Sequence, residues 1–150
     1  MMNATAGRAI MHHTFERYEL MRGAIPQRKA GVMIATTTGQ VTAYALDALY
    51  ERGIFFVEPG EQVYGGQVVG EHCKEKDIPV NVVRIKQQTN VRASSKDDAA
   101  KVRPARKMSL EAAMEYLQAD ELVEICPNSI RIRKRLLKET DRRRHERKTR

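Results

Sequence analysis

The apolar residues of this chain come in short runs broken by turn signals, and that spacing constrains the fold more than any other feature. "GVMIAT" (31–36), "QVTAYAL" (40–46), "IFFV" (54–57), "QVVGEH" (67–72) and "IPVNVVRI" (78–85) each have the length and the β-prone content of a short strand. Strands this short at such close intervals predict a small barrel or sandwich rather than an open parallel sheet. "TTG" between the first two runs predicts a hairpin with Gly39 at its turn. Pro59 and Gly60 predict a turn, "DALYERG" (47–53) a helical turn or two ended by Gly53, and Gly65, Gly66 and Gly70 sharp bends.

The C-terminal third changes period. Ser109 stands where a helix N-cap belongs and Glu111 falls in the first turn. Leu110, Ala113, Met114 and Leu117 recur at i, i+3, i+4 and i+7, which predicts a helix burying that face. "ELVEIC" (121–126), "PNS" and "IRIRK" (130–134) predict strand, turn and strand, with Ile130 and Ile132 packed and Arg131 and Arg133 facing out. From Leu136 the chain is expected to begin a helix and fray into a basic tail. "GRAIMHHTFERYEL" (7–20) reads as a strand ending in an aromatic turn, the edge of a neighbouring domain.

Charge separates the chain further. The formal net charge is +8, yet residues 1–130 balance 16 Lys and Arg against 16 Asp and Glu, so the last twenty residues carry the whole excess. Inside the balanced part, eight basic residues lie between Arg84 and Lys107 against Asp97 and Asp98 alone. Basic residues concentrated in two segments point to a polyanion, with a solvated surface and charged tail as the plain alternative. Between Lys86 and Lys107 there is almost nothing to bury. Such a stretch inside a compact domain is uncommon unless functional or disordered, and its amides, hydroxyls and cations suit phosphates, ribose hydroxyls and base edges. The candidate RNA contacts there are Arg84, Lys86, Gln87, Thr89, Asn90, Arg92, Ser94, Ser95 and Lys96, with Arg84, Lys86, Arg92 and Lys96 expected to be exposed and mobile. Arg103, Arg106 and Lys107 follow, and Arg131 and Arg133 join them from the last strand.

Other chemistries find no support. No glycine-rich phosphate loop of either common pattern is present. His12, His13, His72, Cys73, Cys126 and His145 form no pair at metal-ligand spacing, and neither cysteine has an activating base beside it, so no metal and no catalytic residue is expected. Two isolated cysteines suggest a reducing compartment. No apolar run approaches the ~18 residues of a membrane span, and the N-terminus has no signal-peptide core, which predicts a cytoplasmic chain without a membrane partner. "PGEQVYGGQVV" (59–69) is similar to the half-barrel of biotinyl and lipoyl carriers, but "PNS" offers no lysine to modify, so the stretch reads as scaffold.

"TNVRAS" (89–94) and "SIRIRKRLLKE" (129–139), with "GVMIA", "TAYAL", "VYGG" and "VGEH" upstream, resemble the C-terminal domain of the TypA/BipA family of translational GTPases. "GRAIMHHTFERYE" resembles the end of the family's preceding domain, related to the last domain of elongation factor G. Many members carry Gly-Lys-Lys-Leu where this chain has Ile85, Lys86, Gln87 and Gln88, and glycine is frequent at the position of Ser95. The resemblance implies a ribosome-binding protein active under stress and in large-subunit assembly. Its segment 84–99 would reach large-subunit rRNA and the acceptor end of A-site tRNA, while GTP and Mg belong to the parent protein's GTPase domain. The expected organisation is a ferredoxin-like remnant over 1–25, the family's C-terminal domain over 26–141 and a basic tail over 142–150. The expected fold is α+β: a small, mainly antiparallel β-barrel with one amphipathic helix and a basic C-terminal helix, monomeric and without catalysis. A non-catalytic carrier-type barrel or protein-binding module is the alternative.

Overall fold

The computed structural model describes residues 5, 7–20, 23, 28–85 and 103–149. Strand β1 (Val32–Ala35) is an interior strand buried on both faces, which is why "VMIA" is a continuous apolar run instead of an alternating one. It pairs antiparallel with β5 (Gln67–His72) and parallel with β6 (Ile78–Val80). The far edge of β5 is shared. Its first residues pair with β8 (Ser129–Lys134) and its last with β3 (Gly53–Phe55), both antiparallel, and β8 pairs with β7 (Glu121–Cys126). Strands β2 (Gly39–Gln40) and β4 (Gln62–Val63) form a separate two-stranded sheet.

The larger sheet therefore runs β6-β1-β5-β8-β7, with β3 branching from β5. The result is a mixed α+β fold, mainly antiparallel, but not the expected closed barrel: among the described residues β6 and β7 end the sheet and do not pair. Branching at β5 needs a strand that neighbours can approach closely. At Gly70 an added Cβ would lie 2.6 Å from both the Ile54 carbonyl oxygen and the Met33 side chain. At Gly66 φ is +91° and a Cβ would meet Leu137 at 2.7 Å, so this turn into β5 is closed to other residues on two counts.

Each face of the sheet has its own core. Met33, Val69, Phe55 and Val80 pack with Val41, Leu46 and Val63 under α1 (Ala43–Leu49). Val32, Ile34, Val68 and Ile132 pack on the opposite face against Ala113 and Tyr116 of α2 (Leu110–Tyr116). A third helix, α3 (Glu139–Thr149), follows β8.

Several expectations need correction. "QVTAYAL" is not a strand. Thr42 caps a helix there, its hydroxyl accepting from the Ala45 amide at 3.2 Å, and a 3-10 turn (Tyr50–Arg52) carries the chain to Gly53. The "TTG" hairpin is absent because β2 pairs with β4, Gly39 opposite Val63. In α2 the cap is as expected, Ser109 accepting from Ala112 at 3.3 Å, but the buried residues are Ala113 and Tyr116 while Met114 is 63% exposed. The tail does not fray from Arg142, since α3 continues to Thr149. Residues 7–20 form no strand, and Ile10, Phe15, Tyr18 and Leu20 are exposed, so the ferredoxin-like edge is not seen. An edge strand without a neighbour has no partner for its backbone amides and carbonyls.

Candidate nucleic-acid interface

Of the candidate RNA contacts, Lys86, Gln87, Thr89, Asn90, Arg92, Ser94, Ser95 and Lys96 lie outside the described residues. The two ends of their segment are described, and both are fastened to α1. At the leading end the Thr42 amide donates to the Val82 carbonyl at 3.0 Å and the Thr42 hydroxyl to the Arg84 carbonyl at 2.6 Å. The same hydroxyl caps α1, so one side chain serves both. At the trailing end the Arg103 guanidinium lies 4.7 Å over the ring of Tyr50, just past the helix C-terminus. The segment thus leaves and re-enters the body at opposite ends of one short helix.

Arg106 and Lys107 each meet a carboxylate of the body. The Arg106 amide donates to the Phe55 carbonyl at 2.8 Å, docking the chain beside β3, while its guanidinium meets Glu71 at 3.4 Å. It also lies 5.9 Å over Tyr116 and 6.0 Å over Phe56. Lys107 pairs with Glu58 at 3.1 Å. The Lys107 pair is exposed and the Arg106 pair partly so, and water screens such pairs to within about 0–1 kcal/mol.

Arg131 and Arg133 share one face of β8, as the alternation predicts, but not one role. Arg133 is half-buried and forms an ion pair with Glu124, Nε to Oε1 at 2.6 Å without hydrogen-bond alignment, while Glu124 Oε2 accepts from the Tyr64 hydroxyl at 2.5 Å. Burial, then the bond to Glu124, pushes the Tyr64 hydroxyl pKa up. Arg133 is therefore a structural cation. Arg131 has no side-chain partner among the described residues, and it borders a cleft of about 510 Å³ together with Arg106 and Lys107. Residues of two separate segments thus line one cleft.

The most strongly held charges were not among the candidates. Lys134 is 1% exposed and its ammonium contacts Asp77 at 2.7 Å, Asp120 at 2.7 Å and Glu121 at 3.0 Å. Arg28 grips Glu121 with two bonds of 2.9 and 3.1 Å, donates to the Tyr116 carbonyl and stacks 4.2 Å over the Tyr116 ring. A signal existed. Lys134 and Glu121 stand in phase with Ile132 and Val123 on the packed face of the hairpin and are register partners. Arg142, counted in the tail, instead donates to the Leu136 and Leu137 carbonyls at 2.9 and 2.6 Å and holds the start of α3. Arg143, Arg144, Arg147 and Lys148 remain on the exposed side of that helix, with Arg143 held by Glu139 at 2.5 Å.

Among the described residues no three His, Cys, Asp or Glu side chains gather as a metal site, and no helix is long and apolar enough to cross a membrane. The fold is an α+β domain with cationic side chains on its surface, and its sequence has no glycine-rich loop of either common phosphate-binding pattern. Residues 30–139 match the TypA/BipA C-terminal domain, and the chain belongs to that family. It is 44% identical over 142 residues to the large ribosomal subunit assembly factor BipA of Bacillus subtilis, covering 94% of this chain. It is 46% identical to the proteins of the same name from Haemophilus influenzae and Salmonella typhimurium, covering 99% and 97% of it. The chain spans about a quarter of the length of these relatives, 23–24%. What it carries is the family's C-terminal domain, not a GTPase domain.

Proposed function

We propose that this domain is the ribosome- and RNA-contacting part of a translational GTPase that acts in translation under stress and in large-subunit assembly. Segment 84–99 contacts large-subunit rRNA and the acceptor end of A-site tRNA, and the exposed face of α3 adds attraction without sequence preference. GTP and Mg serve the parent protein's GTPase domain. The observation that carries the reading is the double fastening on α1 at Thr42 and Tyr50, which presents from a rigid body a segment with almost nothing to bury. The relatives' printed role in large-subunit assembly supports the same partner.

Ribosome co-sedimentation over a salt series tests it. The domain should pellet with ribosomes, and Lys86→Ala/Arg92→Ala/Lys96→Ala should weaken ribosome binding more than binding to a generic RNA duplex. Neutralising Arg143, Arg144, Arg147 and Lys148 to Gln should weaken both alike and lower the slope of log affinity against log salt by roughly 0.7–0.9 per lost phosphate contact. Absence of the domain from the ribosome pellet at low salt would favour the carrier or protein-binding module instead.

A further inference from the structure

The cleft beside the β7–β8 hairpin has a make-up that phosphate attraction alone does not explain. Its floor includes Phe56 and Ile132, and its wall is the cross-strand pair Ile125 and Ile130, left 68% and 37% exposed. Arg106 and Lys107 stand beside this apolar surface, Arg131 borders the cleft from the other face of β8, Glu61 is its one carboxylate, and Gln62, Asn128 and Ser129 add side chains that both donate and accept hydrogen bonds. At about 510 Å³ it has the size of a small-molecule pocket, not of an extended protein groove.

We propose that this cleft takes one unpaired nucleotide of single-stranded RNA. The base lies against Ile125, Ile130 and Phe56, its edge meets Asn128 and Gln62, and its phosphate meets Arg106 and Lys107. An unstacked base needs an apolar surface for its faces and mixed donors and acceptors for its edge, and here both lie within reach of cations. An acidic amphipathic helix would use the cations and the isoleucines but would leave the amides without purpose. A duplex is excluded because its bases are already paired and stacked. The Lys107 ion pair is exposed and the Arg106 pair partly so, and both are screened, so exchange of a carboxylate for a phosphate costs little. The inference rests on the RNA-contacting reading above and adds to segment 84–99 a second, base-reading contact.

The test uses the whole chain, a short single-stranded RNA and a duplex of the same sequence. Ile125→Ala/Ile130→Ala should weaken single-strand binding about tenfold, as expected for loss of a stacked base. Duplex binding and its salt slope should stay as in the wild type, at a temperature well below the melting point of both proteins. Lys107→Gln should weaken single-strand binding and lower its salt slope by roughly 0.7. Single-stranded RNA should slow alkylation of Cys126, which lines the cleft, and not that of Cys73, which is exposed outside it. Wild-type single-strand affinity in the isoleucine variant, with Cys126 unprotected, overturns the cleft while leaving the RNA reading standing. No RNA binding by the wild type overturns both. Protection of Cys126 by an acidic amphipathic peptide and not by RNA makes the cleft a protein dock and overturns the nucleotide.

Discussion

Lys134 and Glu121 are the two side chains whose charges the fold can least do without. Burial disfavours ionised Glu121, but hydrogen bonds from Arg28 and Lys134 outweigh it and hold the carboxyl below its ordinary range. Burial likewise disfavours the Lys134 ammonium, and Asp120, Asp77 and Glu121 outweigh it and raise its pKa. The lowered Glu121 pKa contributes stability that is present above the unfolded-state value, about 4.3, and is lost as pH falls through the folded one. The raised Lys134 pKa contributes stability present below about 10.4 and lost as pH rises beyond it. Removing one partner of a buried pair costs about 3–5 kcal/mol, so Lys134→Ala and Glu121→Gln should each lower the melting temperature sharply at neutral pH. Melts between pH 3 and 7 should show a shallower acid limb in Glu121→Gln than in the wild type. Parallel limbs would mean that Glu121 is not the group being titrated.

At the scale of elements, two helix caps of similar worth should have different consequences. Thr42→Val and Ser109→Ala each remove a hydroxyl that caps a helix, a loss of about 1 kcal/mol. Thr42→Val also frees the Arg84 carbonyl at the root of the segment proposed to contact RNA. Both variants should melt at similar temperatures, but only Thr42→Val should lose ribosome affinity. Equal affinities would detach the α1 fastening from function. The packing of α2 is open to a second comparison. Ala113 is fully buried, so Ala113→Leu should overpack the core by about 1–3 kcal/mol, whereas Met114→Lys on the exposed side should stay within about 0.5 kcal/mol. The helix period by itself allowed either face. Leu110, Ala113, Met114 and Leu117 form one apolar stripe in sequence, and the sheet selects the edge of it that brings Tyr116 to Phe56, ring to ring at 5.5 Å.

For the whole molecule, calorimetric titration with GTP and magnesium should show no saturable binding, since no phosphate-cradling loop exists in the sequence. Micromolar binding would point to a nucleotide site of another kind. Much of the architecture was legible. "QVVGEH" has the bounds of β5, "ELVEIC" those of β7, "IRIRK" lies within β8, and Ser109 starts α2 where a cap should. These depend on period, caps and turns, which act within one element or across one tight turn. The segregation of charge and the family motifs were equally plain, because both are properties of order along the chain. Strand pairing was not. That β2 would leave β1 for β4, or that β5 would serve three neighbours, depends on contacts between residues far apart in sequence, and no local signal reports them. The fate of each cation was decided the same way. Arg28 and Glu121 are 93 residues apart and meet only when the sheet and α2 are assembled. The sequence determined how many positive charges there are and where along the chain they stand. Tertiary structure alone decided that Lys134, Arg133 and Arg142 hold the fold together while the outer face of α3 stays exposed, because a charge is neutralised by what lies near it in space.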